Sequence, residues 1–402
     1  MKKPELLAPA GNLEKLKIAF RYGADAVYVG GHVFGLRKYA DNFTDIQLAE
    51  GVAFAHSHNK RIYVVLNGFA HTADLDDIVP ALHYLNTIQP DGLIISDMGV
   101  FQLAKKFTNI PLHVSTQASV TSRYGCQFWK DAGAKRIILA REVSVSDCAY
   151  IKQVLPIELE IFVHGAMCAS YSGKCVISNY TSGRDSNRGG CVQSCRHTYE
   201  IKDVHSGSLE DTTHIMNAKD LMGIRQLPSI IRAGIDSVKV EGRMKSNLYV
   251  ANISRIYRKA LDAIYDALPR DPEATFTDDF FLSFETELQK VSNRGFSSGG
   301  LEGTMQGTSI HYTFSHYNKS VDYIGTVKTT MSETVYLAVK TGFNKGDTLL
   351  RMSKDGEIFP FVAKELFSTT GDPLARSMPN SLVKIPTNEP FESLDVICKN
   401  LE

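Results

Sequence analysis

Glu5-Leu6-Leu7-Ala8-Pro9-Ala10-Gly11, the periodic stretch Leu13–Tyr22, and Gly23-Ala24-Asp25-Ala26-Val27-Tyr28-Val29-Gly30-Gly31 form one strand–helix–strand unit. The first run is short, aliphatic and stops in Pro-Ala-Gly. The second places apolar side chains at helical spacing. Gly23 supplies the stop that lets the chain re-enter a sheet. This unit recurs. Further short runs lie at Arg61–Asn67, Gly92–Ser96, Leu112–Ser119, Arg136–Arg141, Leu159–Gly165 and Ser237–Gly242. Their branched, aliphatic content without strict alternation fits parallel strands buried on both faces. Amphipathic segments separate them, among them Ile46–His56, Leu75–Asn86, Gly99–Phe107 and Leu221–Ala233. Eight alternations predict an α/β chain folded as a TIM-type (β/α)8 barrel, with a doubly wound open sheet as the alternative.

The barrel reading assigns residues 1–267. A connector with one helix (Asp278–Val291) follows over 268–312, and six short strands over 313–402 predict a small C-terminal β-barrel. Lys+Arg and Asp+Glu are equal at 44 each, so no global field draws the 402-residue chain onto nucleic acid; any such surface is local. No run is long enough to span a bilayer and the first residues lack a signal-peptide pattern, so a cytoplasmic protein without membrane contact is expected. Cysteines in that compartment stay reduced.

Active sites of such barrels sit at the C-terminal strand ends. Those ends carry Asn67, Gln117, Arg141-Glu142, His164-Gly165 and Glu241-Gly242-Arg243. One connection breaks the rhythm: residues 166–218, after the seventh strand, have little apolar periodicity. They hold Cys168, Cys175, Cys191 and Cys195 in the spacing C-x6-C-x15-C-x3-C. A loop of that length inside a compact domain is uncommon unless functional. Four thiolates suit an iron–sulfur cluster or structural zinc. Zinc sites favour pairs separated by two to four residues, and only Cys191 and Cys195 are that close, so spacing leans to a cluster and leaves zinc and unliganded thiols open. Cys126, Cys148 and Cys398 are scattered among apolar neighbours and read as ordinary thiols.

The run Glu160-Ile161-Phe162-Val163-His164-Gly165-Ala166-Met167-Cys168, with Ser172-Gly173-Lys174-Cys175, resembles the signature of the collagenase-like peptidase family U32. Glu5–Gly11, Gly23–Tyr28, Lys239–Arg243 and Asn293-Arg294-Gly295-Phe296-Ser297 extend the resemblance over the chain. It implies an oxygen-independent hydroxylase with a 4Fe–4S cluster on the four cysteines and prephenate as oxygen donor. The length and added β module look most like the branch that forms 5-hydroxyuridine at the tRNA wobble position. Implied partners are the tRNA anticodon loop, prephenate and, as a candidate, a second member of the family. Cys195 is the ligand most in question, because ubiquinone-pathway relatives take their fourth cysteine from further along the chain.

Holding a dicarboxylate calls for cationic forks, and Arg141, Arg243 and Arg294 are the candidates, against local pairing of Arg141 with Glu142 and Arg243 with Glu241. His164, Glu142 and Glu241 are candidate proton-handling groups; Asn67 and Gln117 are candidate readers of a uracil edge. Lys174, Arg184, Arg188 and Arg196, interleaved with Tyr171, Tyr180 and Tyr199, have the composition of a single-strand RNA surface. Two rivals stand beside this reading. A metallopeptidase would carry His-Glu-x-x-His, which is absent. The Gly-x-Ser-x-Gly at Gly295–Gly299 lacks the strand before and helix after that a nucleophile elbow needs. A zinc-stapled RNA-binding protein without catalysis is the non-enzymatic rival.

Overall fold

The computed structural model describes residues 2–31, 42–305 and 307–401. Eight parallel strands alternate with helices: β1 (Glu5–Pro9), α1 (Leu13–Arg21), β2 (Ala26–Gly30), α2 (Asp45–Ser57), β3 (Arg61–Leu66), α3 (Leu75–Ile88), β4 (Gly92–Ile95), α4 (Met98–Phe107), β5 (Leu112–Val114), α5 (Arg123–Ala132), β6 (Arg136–Ile138), α6 (Val145–Val154) and β7 (Glu158–Gly165). The excursion after β7 holds α7 (Ile177–Ser182) and a hairpin, β8 (Tyr199–Lys202) with β9 (Leu209–Thr213). Then come β10 (Asp220–Met222), α8 (Leu227–Arg232), β11 (Ser237–Val240) and the long α9 (Asn247–Ala267).

β11 pairs in parallel with both β1 and β7, which closes the ring and excludes the open sheet. Six of the helices start at polar N-caps: Asn12, Thr44, Asp97, Ser122, Ser144 and Ser246 each accept a backbone N–H of the first helical turn. Two expected elements are shorter than their apolar runs. The strand at Leu112 stops at Val114, because Ser115 caps a 3₁₀ turn at Thr116–Ala118. The helix expected over Leu221–Ala233 begins only at Leu227. Its first residues instead form β10, antiparallel to the end of β7, with the Gly223 N–H bonded to the Val163 carbonyl at 2.7 Å.

After α9 come α10 (Asp278–Gln289) and a two-residue strand, β12 (Phe296–Ser297), beside β10. The chain ends in a curled six-stranded antiparallel sheet: β13 (Val321–Met331), β14 (Thr334–Val339), β15 (Thr348–Met352), β16 (Ile358–Val362), β17 (Leu382–Pro386) and β18 (Val396–Asn400), in the order β16-β15-β18-β13-β14-β17. This sheet has its own apolar core around Val327, Leu337, Phe343 and Leu349. It also packs on α9 and α1: the Tyr22 hydroxyl donates to the Met352 carbonyl (2.7 Å), and Arg21 pairs with Asp395 (2.5 Å). No helix among the described residues is long and apolar enough to cross a membrane.

The barrel interior is partly ionic. Glu5 bridges Arg61 and Arg136 (2.6 Å each); Arg136 also reaches Glu158 and Glu160 (3.0 Å each), and Glu160 holds Lys239 at 2.9 Å. Glu160, fully buried, is kept ionised by Lys239 and Arg136 against its own desolvation. This chain of alternating charges runs from the N-terminal end of the barrel to its mouth.

Candidate active site at the barrel mouth

The cysteine segment leaves β7 at Gly165, whose φ of +104° and close approach to the Glu241 carbonyl oxygen (2.5 Å from a built Cβ) only glycine permits. The segment is then fastened across the mouth. Glu142 accepts from the Ser172 N–H (2.9 Å) and hydroxyl (3.3 Å); the Arg141 N–H bonds Ser172 Oγ (3.1 Å); the Ser119 hydroxyl donates to the Ser172 carbonyl. On the other side, the Arg188 fork grips Asp74 (2.5 and 3.0 Å) and donates to the Phe69 carbonyl (2.7 Å), while the Phe69 N–H bonds the Asn187 carbonyl at 3.0 Å. Arg188 holds the Asp74 carboxyl down at about 2.

So fastened, the segment closes a cavity over the C-terminal ends of the strands. Cys168, Cys175, Cys191 and Cys195 all line it, as do Asn67, Gln117, Arg141, Glu241, Arg243 and Arg294. Burial raises the Cys195 thiol, and the other three cysteine sulfurs push it the same way, so the four share one electrostatic neighbourhood. Among the described residues no three His, Cys, Asp or Glu side chains are drawn together as ligands of a single metal ion. The donor set is nonetheless all sulfur and faces one cavity, a chemistry that fits an iron–sulfur cluster.

The other predicted residues separate into those at the cavity and those spent elsewhere. Asn67 donates to Ser115 Oγ (3.2 Å), and its side-chain Oδ1 is buried without a partner among the described residues. Arg141 lies over the Phe162 ring (4.2 Å to the centroid), with Glu241 at 3.9 Å and Cys168 Sγ at 4.0 Å; its Nε has no protein partner. Its sequence neighbour Glu142 is not its partner. Glu241 accepts from the Tyr28 hydroxyl at 3.3 Å. Arg243 is buried, its guanidinium laid against Gly30.

Several expectations change. His164 does not reach the cavity: it is buried among Tyr249, Tyr257 and Phe296, and desolvation followed by the Lys245 charge pushes it down to about 3, so its ring stays neutral. Glu142 and Arg188 are fasteners of the segment rather than ligand-binding groups, because residues far away in sequence, Ser172 and Asp74, claim them. Arg196 is buried rather than on an RNA-facing surface. Arg294 is stacked on Tyr317 (4.3 Å), bonded to Gln193 Oε1 (2.9 Å) and the Tyr317 hydroxyl, and 3.5 Å from Asp220. Lys174 is exposed and Arg184 half-buried, both outside the cavity lining.

Sequence reasoning missed Lys239, which lines the cavity, over the Tyr28 ring at 4.4 Å and held by Glu160. The signal was available: Lys239 and Glu160 are charged positions in otherwise apolar strands, and alternate residues of a barrel strand face inward. A second cleft, at the N-terminal end of the barrel around Glu5, Asp25 and Asp236, is closed by its own pairs, Arg61–Glu5, Arg258–Asp25 and Lys152–Asp236. Ser297 sits on the two-residue β12 and is followed by turns rather than a helix, so it is no nucleophile elbow.

Comparison with known proteins places this geometry. Residues 11–311 match Peptidase family U32. The chain is 41% identical over 394 residues to tRNA hydroxylation protein P1 of Bacillus subtilis, covering 95% of this chain and 92% of that protein. It is 43% identical over 314 residues to tRNA hydroxylation protein P of Helicobacter pylori, covering 75% and 72% respectively. Against the 23S rRNA 5-hydroxycytidine C2501 synthase of Escherichia coli, identity is 39% over 262 residues, 65% of this chain and 40% of that one. The barrel with its cysteine-bearing mouth therefore belongs to peptidase family U32.

Proposed function

We propose that this chain is a tRNA-modifying hydroxylase that converts a wobble uridine to 5-hydroxyuridine without molecular oxygen, using an iron–sulfur cluster on Cys168, Cys175, Cys191 and Cys195 and prephenate as oxygen donor. The observation that carries the reading is the convergence of four thiols and unspent polar groups on one cavity at the barrel's C-terminal face. The names of the relatives, tRNA hydroxylation proteins and an rRNA 5-hydroxycytidine synthase, support RNA as substrate.

Hydroxylation replaces the C5–H of the base by C5–OH, a two-electron oxidation of the ring. When bound, the cluster supplies one-electron redox chemistry beside the base. The protein's part is binding and proton handling. Asn67, with its unpartnered acceptor, suits the N3–H of a uracil, and Gln117 lies along the same wall. Arg141 and Arg243 are the cations placed to take carboxylates, with Lys239 on the floor; Arg294 is already engaged. Glu241, the carboxylate in the cavity wall, is the group positioned to receive the departing ring proton.

The rim fits a flipped-out anticodon base. Ile46, Met98 and Tyr124 begin helices at this face and are strongly exposed, as are Tyr171 and Tyr180 on the cysteine segment. Exposed rings around a mouth offer stacking surfaces to unpaired bases. Mass analysis of tRNA nucleosides tests the reading. A deletion strain should lose 5-hydroxyuridine and its derivatives, regain them with the wild-type gene, and not with Cys168→Ser. Unchanged nucleosides would remove tRNA as substrate. Anaerobically purified protein should be brown, absorbing at roughly 400 nm as cysteine-bound iron–sulfur centres do; a colourless protein with stoichiometric zinc would remove the cluster.

A further inference from the structure

Arg196 follows the last clustered cysteine and is buried at the back of the cavity. Its guanidinium donates only to neutral oxygens: Asn217 Oδ1 (2.8 Å), the Ala218 carbonyl and the Met167 carbonyl (2.7 Å). Nε has no protein partner. The carboxylate in its field, Asp220, lies 3.5 Å from Arg294, and that second buried arginine opposes the charge on Arg196. Two other cations of the cavity wall have carboxylates: Lys239 has Glu160 at 2.9 Å and Arg141 has Glu241 at 3.9 Å. A buried charge without a counter-ion is costly, and proteins keep one only where something compensates it.

Two facts say what compensates it. Met167 immediately precedes Cys168, and Arg196 immediately follows Cys195, so one guanidinium ties together the backbone beside the first and fourth thiols. A second tie comes from Arg294, which bonds Gln193 between Cys191 and Cys195, where the backbone takes φ +60°. Four thiolates around an iron–sulfur core leave a net negative charge, and nearby charge sets the potential of such a centre.

We propose that Arg196 is the positioning residue of the cluster, its fork fixing the approach of Cys168 to Cys195 and its unpaired charge answering the anionic centre. The inference rests on the cluster reading above. It separates two properties. The planar fork bonding three oxygens sets how firmly the centre is held, whereas the positive charge favours the reduced state and raises the midpoint potential. Arg196→Lys keeps the charge and loses the fork; Arg196→Gln loses both.

The test uses full-length protein reconstituted anaerobically with ferrous iron and sulfide. Iron and sulfide per chain, the EPR spectrum of the reduced centre, its midpoint potential and its loss to a chelator are measured. Arg196→Lys should keep the midpoint near wild type but lose the centre several-fold faster. Arg196→Gln should lose it faster still and titrate at a lower potential. Lys202→Gln, an exposed cation on the hairpin of the same segment, should match wild type in both. A wild-type cluster with unchanged loss and midpoint in both Arg196 variants overturns the inference and leaves the cluster standing. A wild-type protein that takes up no iron and sulfide overturns the cluster reading, and this inference with it. Should the glutamine variant not fold, an unchanged rate of loss in Arg196→Lys alone overturns the role.

Discussion

Gly173→Ala isolates the seating of the cysteine segment from the stability of the barrel. Gly173 lies between Cys168 and Cys175 with φ +74°, and a Cβ built there stands 2.0 Å from the Gln117 carbonyl oxygen and 2.7 and 2.8 Å from its carbonyl carbon and Cα. These are backbone atoms of the 3₁₀ turn that follows β5 and cannot rotate away. Reaching an ordinary contact of 3.4 Å moves the segment by about 1.4 Å, and the left-handed backbone costs an L-residue a further ~1–2 kcal/mol. A preorganised ligand set tolerates displacements of only about 0.5 Å. Gly173→Ala should therefore lose most of its iron and sulfide after anaerobic reconstitution while melting close to wild type, since the barrel core does not include this turn. Gly183→Ala is the matched control: φ is +65° in the same segment, but nothing lies within 4 Å of the added carbon. It should pay the conformational cost and keep its centre. Full cluster content in Gly173→Ala, or equal loss in Gly183→Ala, would refute the argument that backbone contact at Gln117 sets the ligand geometry.

Other outcomes follow from the same contacts. Lys239→Met removes one partner of fully buried Glu160 and should cost about 3–5 kcal/mol in urea unfolding; adding Glu160→Gln should recover part of it, and additive losses would refute the pairing. The Asp74–Arg188 latch should depend on pH in one direction. A carboxyl depressed to about 2 contributes stability present above its unfolded value near 3.8 and lost as pH falls toward 2. Limited proteolysis of the 166–218 segment should accelerate over that window, and Asp74→Asn should show the faster cutting already at pH 7. His164→Gln should leave the pH–rate profile between about pH 5 and 8 unmoved, because a ring titrating at about 3 is neutral throughout; a lost limb in that profile would restore His164 as a proton donor.

The barrel was legible because its signals are local. Double burial makes each parallel strand an aliphatic run, and polar residues such as Asp97 and Ser144 cap the helices that follow. The grouping of Cys168, Cys175, Cys191 and Cys195 on one cavity was legible for a related reason: all four lie on one excursion, so their spacing survives in one dimension. What escaped is whatever a distant element decides. Nothing around Arg188 announces Asp74, and nothing around Glu142 announces Ser172, so both read as free functional groups until the fold brought their partners in. His164 looked available at a strand end, yet the aromatic side chains of α9 and β12 enclose it.

Lys239 and Arg196 escaped in the opposite sense: each is a buried charge whose partner the local sequence does not show. In both cases the anion that answers the charge is remote. For Lys239 it is Glu160 on the neighbouring strand, two steps from Glu5 through Arg136. For Arg196 the hydrogen bonds among the described residues go to neutral oxygens, and the nearby carboxylate, Asp220, is paired with Arg294. A barrel that has matched the charges along its interior is unlike a mouth in which a buried guanidinium lines the same cavity as four thiols. If the proposed centre sits on the thiols, Arg196 supplies the positive charge beside it, and the charge lost in Arg196→Gln should show as the lower midpoint potential.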